Sequence, residues 1–151
     1  MKTQKALDFF KTNGLFLDYI ETEKSTASSQ EAASVIGCTT GEIAKSIIFE
    51  SGGKAILVLI EGDKKVDIKK LEGIVSSKIK KADPLFILQK TGFEVGGVSP
   101  IPNENIIIFI DSGITKHEFI WVSAGSKESV IKLSTKGLEK ALKAPIVCVS
   151  T

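Results

Sequence analysis

"KSIIFESGGKAILVLI" (residues 45–60) joins two apolar runs through the turn sequence "SGGK" (51–54). Two consecutive glycines supply the positive φ angles that a tight hairpin turn needs, so the runs are predicted to be antiparallel strands. Along the rest of the chain, further apolar strands and hairpins alternate with single helices, an order that argues against a regular doubly wound fold. We therefore expect a single compact α+β domain over residues 1–151. Its sheet is expected to be mixed, largely antiparallel and partly barrel-like, with helices around it.

The remaining elements are predicted from hydrophobic periodicity and from residues that begin and end helices. Ser28 lies three residues before Glu31, as in a capping box, and the helix that follows ends at Gly37. Other helices are predicted over residues 2–13, from Asp67 through "IKKLEGIV", from Asp83-Pro84 to Gly92, and after Ser134 or Thr135. Other strands are predicted over residues 15–21, 105–111, 118–125, 129–134 and 146–150.

Composition places the chain among globular proteins. It has 42% apolar and 25% charged residues, which are ordinary values for a domain with a buried core. Apolar runs such as residues 106–110 are far shorter than the roughly 20 residues that span a bilayer. The N-terminus lacks the apolar segment of a signal peptide, and Cys38 and Cys148 are predicted to be reduced. We expect a cytoplasmic protein with no membrane contact.

All 20 basic residues are lysines, and the formal net charge is +2. This small excess does not by itself predict nucleic-acid binding. Seven of these lysines lie in one segment, residues 64–81. They are Lys64, Lys65, Lys69, Lys70, Lys78, Lys80 and Lys81. The segment is either a solvated helix face or a docking surface for a polyanion, and the sequence leaves both interpretations open.

Most standard catalytic and metal-binding motifs are absent. There is no phosphate-binding loop, no dinucleotide-binding glycine motif, no zinc-protease motif and no nucleophile elbow. The single histidine, His117, cannot build a multi-histidine metal site, and we expect it to be an exposed loop residue. Cys38 is expected to be a structural thiol. No metal and no cofactor are predicted.

Two segments could line a cleft that binds an anion or a carbonyl group. Lys45 lies at the start of a strand between apolar runs, so its ammonium group either reaches solvent or points into a cleft. In "TGFEVGGVSP" (91–100), Gly96 and Gly97 can adopt positive φ and leave main-chain N–H groups uncovered. An ordinary turn is the competing interpretation of this segment, and also of "SAGSK" (123–127).

Taken together and in order, the motifs of the chain resemble the YbaK/prolyl-tRNA-synthetase-associated domain family. The motifs are "STASSQEAASVIG", "IAKSIIF", "EGDKKVD", "TGFEVGGVSP", "IDSGI" and "WVSAG". Each is weak alone, whereas the ordered set is specific. Members of this family are editing domains that hydrolyse the ester of a mischarged aminoacyl-tRNA, either within prolyl-tRNA synthetase or as free proteins acting in trans. The resemblance implies a compact α+β fold and a free-standing member of the family.

The resemblance also implies roles for particular residues. Lys45 corresponds to the family's active-site lysine, which helps to position the terminal adenosine and the aminoacyl group. The "GGVSP" loop corresponds to the backbone wall that binds the aminoacyl carbonyl and helps to align water. The candidate catalytic residues are thus Lys45, Gly97, Val98 and Ser99. The implied substrate-binding residues are Tyr19, Thr26, Gly96, Pro100, Asp111, Ala124, Gly125 and Ser126.

The function implied by the resemblance agrees with the lack of a catalytic triad. An aminoacyl ester is already activated, so its hydrolysis needs positioning and oxyanion stabilisation more than a strong nucleophile. The expected activity is deacylation of a tRNA that carries a small wrong amino acid such as Ala, Cys, Ser or Thr, with tRNA(Pro) as the leading candidate. Two segments, "ETEKST" and "GSKES", depart from family patterns and argue against a Cys-specific enzyme.

Two other interpretations stay open at this point. The domain could bind a tRNA end or a nucleotide, or dock on a synthetase, without hydrolysis, and the lysines of residues 64–81 would then form the partner surface. The fold could also have lost its activity, although Lys45 and the intact glycine loop argue against that. The expected partners are mischarged tRNA and an aminoacyl-tRNA synthetase. Both a monomer and a dimer are compatible with the sequence.

Overall fold

The predicted hairpin forms the middle of the larger of two sheets. In the computed structural model, which describes residues 2–151, β2 (Ala44–Ser51) and β3 (Lys54–Glu61) pair antiparallel along their full length. Gly52 and Gly53 have φ angles of 56° and 82°. Positive φ at both central residues is what a type I′ hairpin turn requires, so the glycine pair sets the register of β2 against β3.

The helices and the other strands follow the predicted order. The helices are α1 (Lys2–Thr12), α2 (Ser29–Ile36), α3 (Ile68–Val75), α4 (Pro84–Thr91) and α5 (Thr135–Leu142). The other strands are β1 (Phe16–Glu21), β4 (Lys80–Lys81), β5 (Ile106–Asp111), β6 (Phe119–Ser123), β7 (Ser129–Ser134) and β8 (Ile146–Val147). Short 3₁₀ segments cover Thr40–Glu42 and Ser112–Lys116. Strand β4 was not foreseen, because two exposed lysines have no strand periodicity.

The strands form two sheets. The smaller sheet is antiparallel in the order β1-β7-β6, and the larger has the order β4-β2-β3-β5-β8, in which β5 runs parallel to β3 and β8. Ile43 bridges to Trp121, so the start of β2 lies beside β6. The predicted α+β fold with a mixed, largely antiparallel sheet is confirmed. Within residues 2–151, the strands do not close into a barrel.

Strand β3 is buried on both faces, which explains its nearly continuous apolar sequence. On one face, Leu57 belongs to the core that also contains Ile120 and Ile131 of the smaller sheet. On the other face, Val58 packs in a second cluster with Leu71 of α3. The larger sheet is therefore covered by the smaller sheet on one side and by α3 on the other.

The predicted helix caps are present. The hydroxyl of Ser28 accepts a hydrogen bond from the N–H of Glu31 at 3.1 Å, and Gly37 ends α2 with a φ of 85°. Asp67, Asp83 and Ser134 cap α3, α4 and α5 in the same way. No helix within residues 2–151 combines the length and the apolar content needed to cross a bilayer. Both cysteines are free thiols, as predicted.

Candidate active site

A cleft of about 830 Å³ lies beside the first half of β2. Its walls come from segments that are distant in the sequence. They are the loop and helix start at 25–32, residues 43–48 at the start of β2, the turn at 62–65, residues 95, 96 and 98 of the glycine loop, and the end of β6. Lys81, Ile87, Lys127 and Val130 complete the lining. Five of the lining residues are lysines and two are acidic. The cleft therefore has an excess of positive charge, which suits an anionic ligand.

Lys45 lies in this cleft. Its ammonium nitrogen donates to the carbonyl oxygen of Gly62 at 3.2 Å. Burial lowers the pKa of Lys45 below its usual value; Lys65 and Lys81 act in the same direction, and Asp63 opposes them. Of the two orientations that the sequence left open, the structure therefore has the cleft-facing one. A cation held at the wall of a partly buried cleft can stabilise negative charge on a bound oxygen more strongly than an exposed one.

Gly62, the partner of Lys45, lies where no side chain fits. A Cβ atom added there would lie 2.5 Å from the carbonyl oxygen of Thr40 and 2.7 Å from the side chain of Ser29. The carbonyl that receives Lys45 is thus held in place by tight packing against the start of α2. Gly62 lies within the motif "EGDKKVD", from which no role for it was predicted.

The glycine loop is packed more closely than the sequence suggested. Gly96 has a φ of 87°, and a Cβ there would lie 2.9 Å from the Cβ of Ala27. A Cβ on Gly97 would lie 2.9 Å from the carbonyl carbon of Ser126, and the N–H of Gly97 donates to Glu94 at 2.9 Å. Gly97 is therefore needed for the approach of two backbone segments, and its N–H is already used within the loop.

The next residues of the loop run from the cleft into the core. Val98 lines the cleft, whereas Ser99 and Pro100 are buried and do not line it. Within residues 2–151, the N–H groups of Val98 and Ser99 have no hydrogen-bond partner. The hydroxyl of Ser99 is also buried without a partner. Among residues 98–100, Val98 is the one that combines contact with the cleft and an unused main-chain donor; Gly96 shares both properties.

Thr26 joins the cleft to the β6–β7 turn. Its N–H and its hydroxyl both donate to the carbonyl oxygen of Lys127, and the hydroxyl bond is 2.9 Å long. Thr26 and Lys127 line the cleft. Gly125 and Ser126 line a smaller neighbouring pocket of about 420 Å³, and Ala124 is fully buried. The predicted turn residues Ala124, Gly125 and Ser126 thus lie next to the cleft without lining it. Lys127, for which no role was predicted, does line it.

Asp111 and Tyr19 lie away from the cleft. Asp111 is fully buried at the end of β5, where one oxygen accepts from the N–H groups of Val149 and Ser150 at 2.9 and 3.1 Å. Its other oxygen accepts from Gly113. With these N–H groups bonded to Asp111, the pairing of β8 with β5 ends at Val147, before the predicted residue 150, and Ser150 bridges to Val66 instead. The phenol of Tyr19 donates to Glu21 at 2.6 Å, and burial raises its pKa to about 12. Neither residue lines the cleft.

The lysine-rich segment divides between the cleft and other partners. Lys64, Lys65 and Lys81 line the cleft. Lys78 and Lys80 lie 3.9 Å from the carboxylates of Glu72 and Glu50, and Lys70 donates to the carbonyl of Ser150. The segment is thus neither a single solvated face nor a single docking surface, because its strand and helix residues point in different directions.

His117 differs from its expected exposed position. Its Nε2 atom lies 2.8 Å from a carboxylate oxygen of Glu61, and both side chains are largely buried, with 22% and 7% exposed. Lys116 lies 3.6 Å from the other oxygen of Glu61. No motif in the sequence identifies this pair, because 56 residues separate the partners. Within residues 2–151, no cluster of three or more His, Cys, Asp and Glu side chains could hold a metal ion.

Sequence comparison assigns the chain to a family. Residues 23–141 match the family described as "Aminoacyl-tRNA editing domain", and the chain belongs to this family. The predicted relationship to prolyl-tRNA-synthetase-associated editing domains is thereby confirmed, since proline–tRNA ligases are among the relatives. The proline–tRNA ligase of Thermosipho melanesiensis is 29% identical to this chain over 101 residues, which are 66% of this chain and 18% of the ligase.

Two further comparisons cover nearly whole chains. The Bacillus subtilis (strain 168) protein YwhH is 33% identical over 125 residues, which are 82% of this chain and 80% of YwhH. The crystal structure of a candidate trans-editing enzyme for prolyl tRNA synthetase superposes with a TM-score of 0.89 at 25% identity, over 99% of this chain and 97% of the other. The fold is therefore that of a tRNA-editing domain, in which the cleft beside β2 is the candidate active site.

Proposed function

We propose that this protein is an aminoacyl-tRNA deacylase that acts in trans as a single domain. The observation that carries the proposal is the position of Lys45. In a chain that belongs to the editing-domain family, the matching lysine lies in the cleft of about 830 Å³ beside β2, with its ammonium group partly buried and its pKa lowered by burial. A cation with these properties is suited to an oxygen that gains negative charge during ester hydrolysis.

The proposed reaction is hydrolysis of the ester between the amino acid and the terminal ribose. A water oxygen attacks the carbonyl carbon, the bond from that carbon to the ribose oxygen breaks, and the proton lost by water ends on the ribose oxygen. The products are a free amino acid and a tRNA with a free ribose hydroxyl. Lys45 stabilises the carbonyl oxygen in this step. The neighbouring ribose hydroxyl assists the proton transfer, so no protein base is required.

We assign the main-chain N–H of Val98 as a second donor to the carbonyl oxygen. Val98 lines the cleft, and its N–H has no partner within residues 2–151. Main-chain donors of this kind are fixed before the substrate binds, which is the condition for strong transition-state stabilisation. Gly97 has a supporting role here, because its N–H already donates to Glu94. Its lack of a side chain lets the loop approach Ser126.

The proposed substrate is a tRNA that carries a small wrong amino acid, with tRNA(Pro) as the leading candidate. The relatives that are proline–tRNA ligases support this choice of tRNA. Ala, Cys, Ser and Thr are the amino acids to compare. A cleft that admits a small side chain and excludes a larger correct one would provide the double-sieve selectivity of editing enzymes.

The test is a deacylation panel with purified protein and no synthetase. tRNA(Pro) charged with Ala, Cys or Pro, together with Ser-tRNA and Thr-tRNA, is incubated with excess protein, and the remaining ester is measured over time. Loss of one small aminoacyl group faster than loss of proline is expected. Lys54→Ala serves as the matched control for lysine variants, because Lys54 is exposed at the β2–β3 turn, away from the cleft.

The same panel separates the alternatives. If no ester is lost although the protein binds the charged tRNA, the domain is a binding module and the enzymatic proposal is wrong. If hydrolysis occurs only in a parallel panel to which prolyl-tRNA synthetase is added, the proposal that the domain acts alone is wrong, and the synthetase is a functional partner.

A further inference from the structure

The outer edge of β2 is open beside Lys45. On its inner edge, β2 pairs with β3 along its full length. On its outer edge, β4 pairs only with Phe49 and Glu50, and Trp121 of β6 bridges only to Ile43. Within residues 2–151, no strand pairs with the intervening residues on this side. The outer edge of β2 therefore has an unpaired gap, residues 44–48, between its contacts with β4 and with β6.

Two hydrogen bonds establish which residues face this gap. The N–H of Gly62, just beyond β3, donates to the carbonyl of Ile43 at 2.7 Å, so odd-numbered residues of this stretch point their polar groups toward β3. The N–H of Ala82, just beyond β4, donates to the carbonyl of Ile48 at 3.1 Å, so even-numbered residues point outward. Because main-chain groups alternate along a strand, the N–H and C=O of Ser46 both face the gap.

The gap coincides with the cleft. Ser46 lines the cleft together with the rest of residues 43–48, and the lysines at 45, 65 and 81 lie around the same space. Apolar side chains of Ile87 and Val95 also line it. The N–H donor and the C=O acceptor of Ser46 thus lie next to each other on the cleft wall, between apolar side chains and ammonium groups.

We propose that the outer edge of Ser46 binds the terminal nucleobase of an RNA 3′ end, and that this base is adenine. The N–H of Ser46 donates to N1 of adenine, and its C=O accepts from the N6 amino group. On its Watson–Crick edge, adenine carries the N1 acceptor next to the N6 donor. Proteins recognise RNA ends by hydrogen bonds to such base edges and by packing against the base faces. Lys65 and Lys81 match the phosphates on the 5′ side of the base, while Lys45 stays assigned to the carbonyl oxygen of the ester. The choice of an RNA end as the ligand rests on the proposed function.

The charge and the length of the open edge favour this ligand over a peptide strand. A peptide that completed the sheet would need several alternating main-chain bonds. Here only even-numbered residues from 44 to 48 face the gap, and the carbonyl of Ile48 is already bonded to Ala82. The cationic rim also matches phosphate better than a neutral main chain.

The first test changes the base and leaves the protein as it is. Two uncharged RNA hairpins that end in CCA are compared, one with a normal terminal adenosine and one with purine riboside, which lacks the N6 amino group. Binding is measured by fluorescence anisotropy at one fixed salt concentration. We expect the purine hairpin to bind at least about fivefold more weakly, the effect of one lost hydrogen bond. Equal affinities, or no binding of either hairpin, would overturn the proposal.

The second test removes the donor from the protein. Proline is tolerated on an edge strand where the N–H points away from the sheet, so Ser46→Pro removes the outward N–H without breaking a bond to β3. Ser46→Ala removes the same hydroxyl and keeps the N–H. We expect S46P to bind the adenosine hairpin at least about fivefold more weakly than S46A, and to lose the preference for adenosine over purine riboside. If S46P keeps that preference, the N–H of Ser46 does not read the base.

These measurements are independent of catalysis. Discrimination between the two hairpins without any deacylation would support the nucleobase site and contradict the proposed enzyme. Deacylation that is equally fast on substrates ending in adenosine and in purine riboside would support the enzyme and contradict the nucleobase site. Thermal unfolding of S46P, followed by circular dichroism, shows whether the variant is folded; if it is not, the comparison of hairpins decides alone.

Discussion

The ammonium nitrogen of Lys45 in β2 and the carbonyl oxygen of Gly62, directly after β3, lie 3.2 Å apart. Lys45 pairs with Ile60 in the β2–β3 ladder, and Gly62 follows two residues later. The cation is therefore held by a main-chain atom whose position depends on the hairpin register. Because Gly62 also packs against Thr40 and Ser29, the register of the hairpin, the start of α2 and the direction of Lys45 depend on one another.

Replacement of Lys45 should abolish most of the deacylase activity. We expect Lys45→Ala to lower kcat/KM by at least about tenfold, equivalent to about 1.4 kcal/mol of transition-state stabilisation. Lys45→Arg keeps the charge and should retain more activity than the alanine variant, although a guanidinium group matches the ammonium site poorly. Deacylation of the best substrate in the panel is the measurement. An unchanged rate in Lys45→Ala, relative to Lys54→Ala, would remove Lys45 from the site.

The lowered pKa of Lys45 has consequences for stability and activity. Burial depresses the pKa in the folded state, so over a window below the ordinary lysine value of about 10.4 the unfolded chain holds a proton that the folded chain releases. The contribution of Lys45 to the free energy of unfolding therefore rises with pH through that window. This contribution is lowest where Lys45 is charged. Deacylation that depends on the cation should decline over the same window.

The titration of Lys45 can be followed directly. The ¹³Cε chemical shift of Lys45, assigned by comparison with Lys45→Arg, should give a midpoint below the ordinary lysine value. Urea unfolding of the wild type across the same pH range should show a rise in the free energy of unfolding that Lys45→Met lacks. A midpoint at or above about 10.4 would contradict the partly buried position of the ammonium group.

A side chain at Gly97 should disrupt the cleft wall. Gly97→Ala places a Cβ 2.9 Å from the backbone of Ser126, so the loop or the β6–β7 turn must move. We expect a loss of about 1–3 kcal/mol in the free energy of unfolding, typical of overpacking, and a loss of deacylation of at least about tenfold. Gly97→Val should be worse. The measurements are urea unfolding and the deacylation panel.

Gly73 is the matched control for Gly97. It lies inside α3, and nothing lies within 4 Å of a Cβ added there. Gly73→Ala should stabilise the protein by about 0.5–1 kcal/mol, because alanine has the higher helix propensity, and should leave deacylation unchanged. A fully active and stable Gly97→Ala would show that the loop is an ordinary turn.

The lysines at the rim should contribute to RNA binding through counterion release. We expect Lys65→Gln and Lys81→Gln each to weaken RNA binding and to reduce the slope of log K against log salt by about 0.7, the value for one contact to a single strand. Lys78→Gln is the control, since Lys78 is paired with Glu72 and does not line the cleft. Equal salt slopes for all three variants would place the RNA elsewhere.

The two cysteines should react at different rates. Burial and the nearby carboxylate of Glu42 raise the pKa of Cys38, so little thiolate is present near neutral pH. Cys148 is exposed. Ellman's reagent at pH 8 should therefore show one fast and one slow thiol, and Cys148→Ser should remove the fast phase. A single fast phase of two thiols would mean that Cys38 is more open than the structure indicates.

The sequence predicted those parts of the fold that depend on local patterns. The glycine pair between two apolar runs identified the β2–β3 hairpin, and capping residues identified the ends of α2 and α4. The apolar run at 105–111 identified strand β5. Strand β4 escaped prediction, because it consists of two exposed lysines. Strand β8 was predicted but ends at Val147, since Asp111 accepts from the main-chain N–H groups of Val149 and Ser150.

The site was predicted in outline, through motifs rather than contacts. Lys45, Thr26, Gly96 and Val98 do meet in one cleft, but their catalytic roles remain predictions. The sequence could not indicate that Gly97 is needed for packing against Ser126, nor that Gly62 receives the lysine, because both depend on segments brought together by the fold. The pair of Glu61 and His117 was missed for the same reason.

The double hydrogen bond from Thr26 to the carbonyl of Lys127 has an evolutionary consequence. The loop before α2 and the β6–β7 turn are far apart in the chain. A change of position in either segment alone would break these bonds and displace one wall of the cleft. Substitutions that alter which acyl group fits should therefore accumulate in both segments together. Exchange of the two segments as a pair between relatives should transfer specificity, whereas exchange of either one alone should mainly reduce activity.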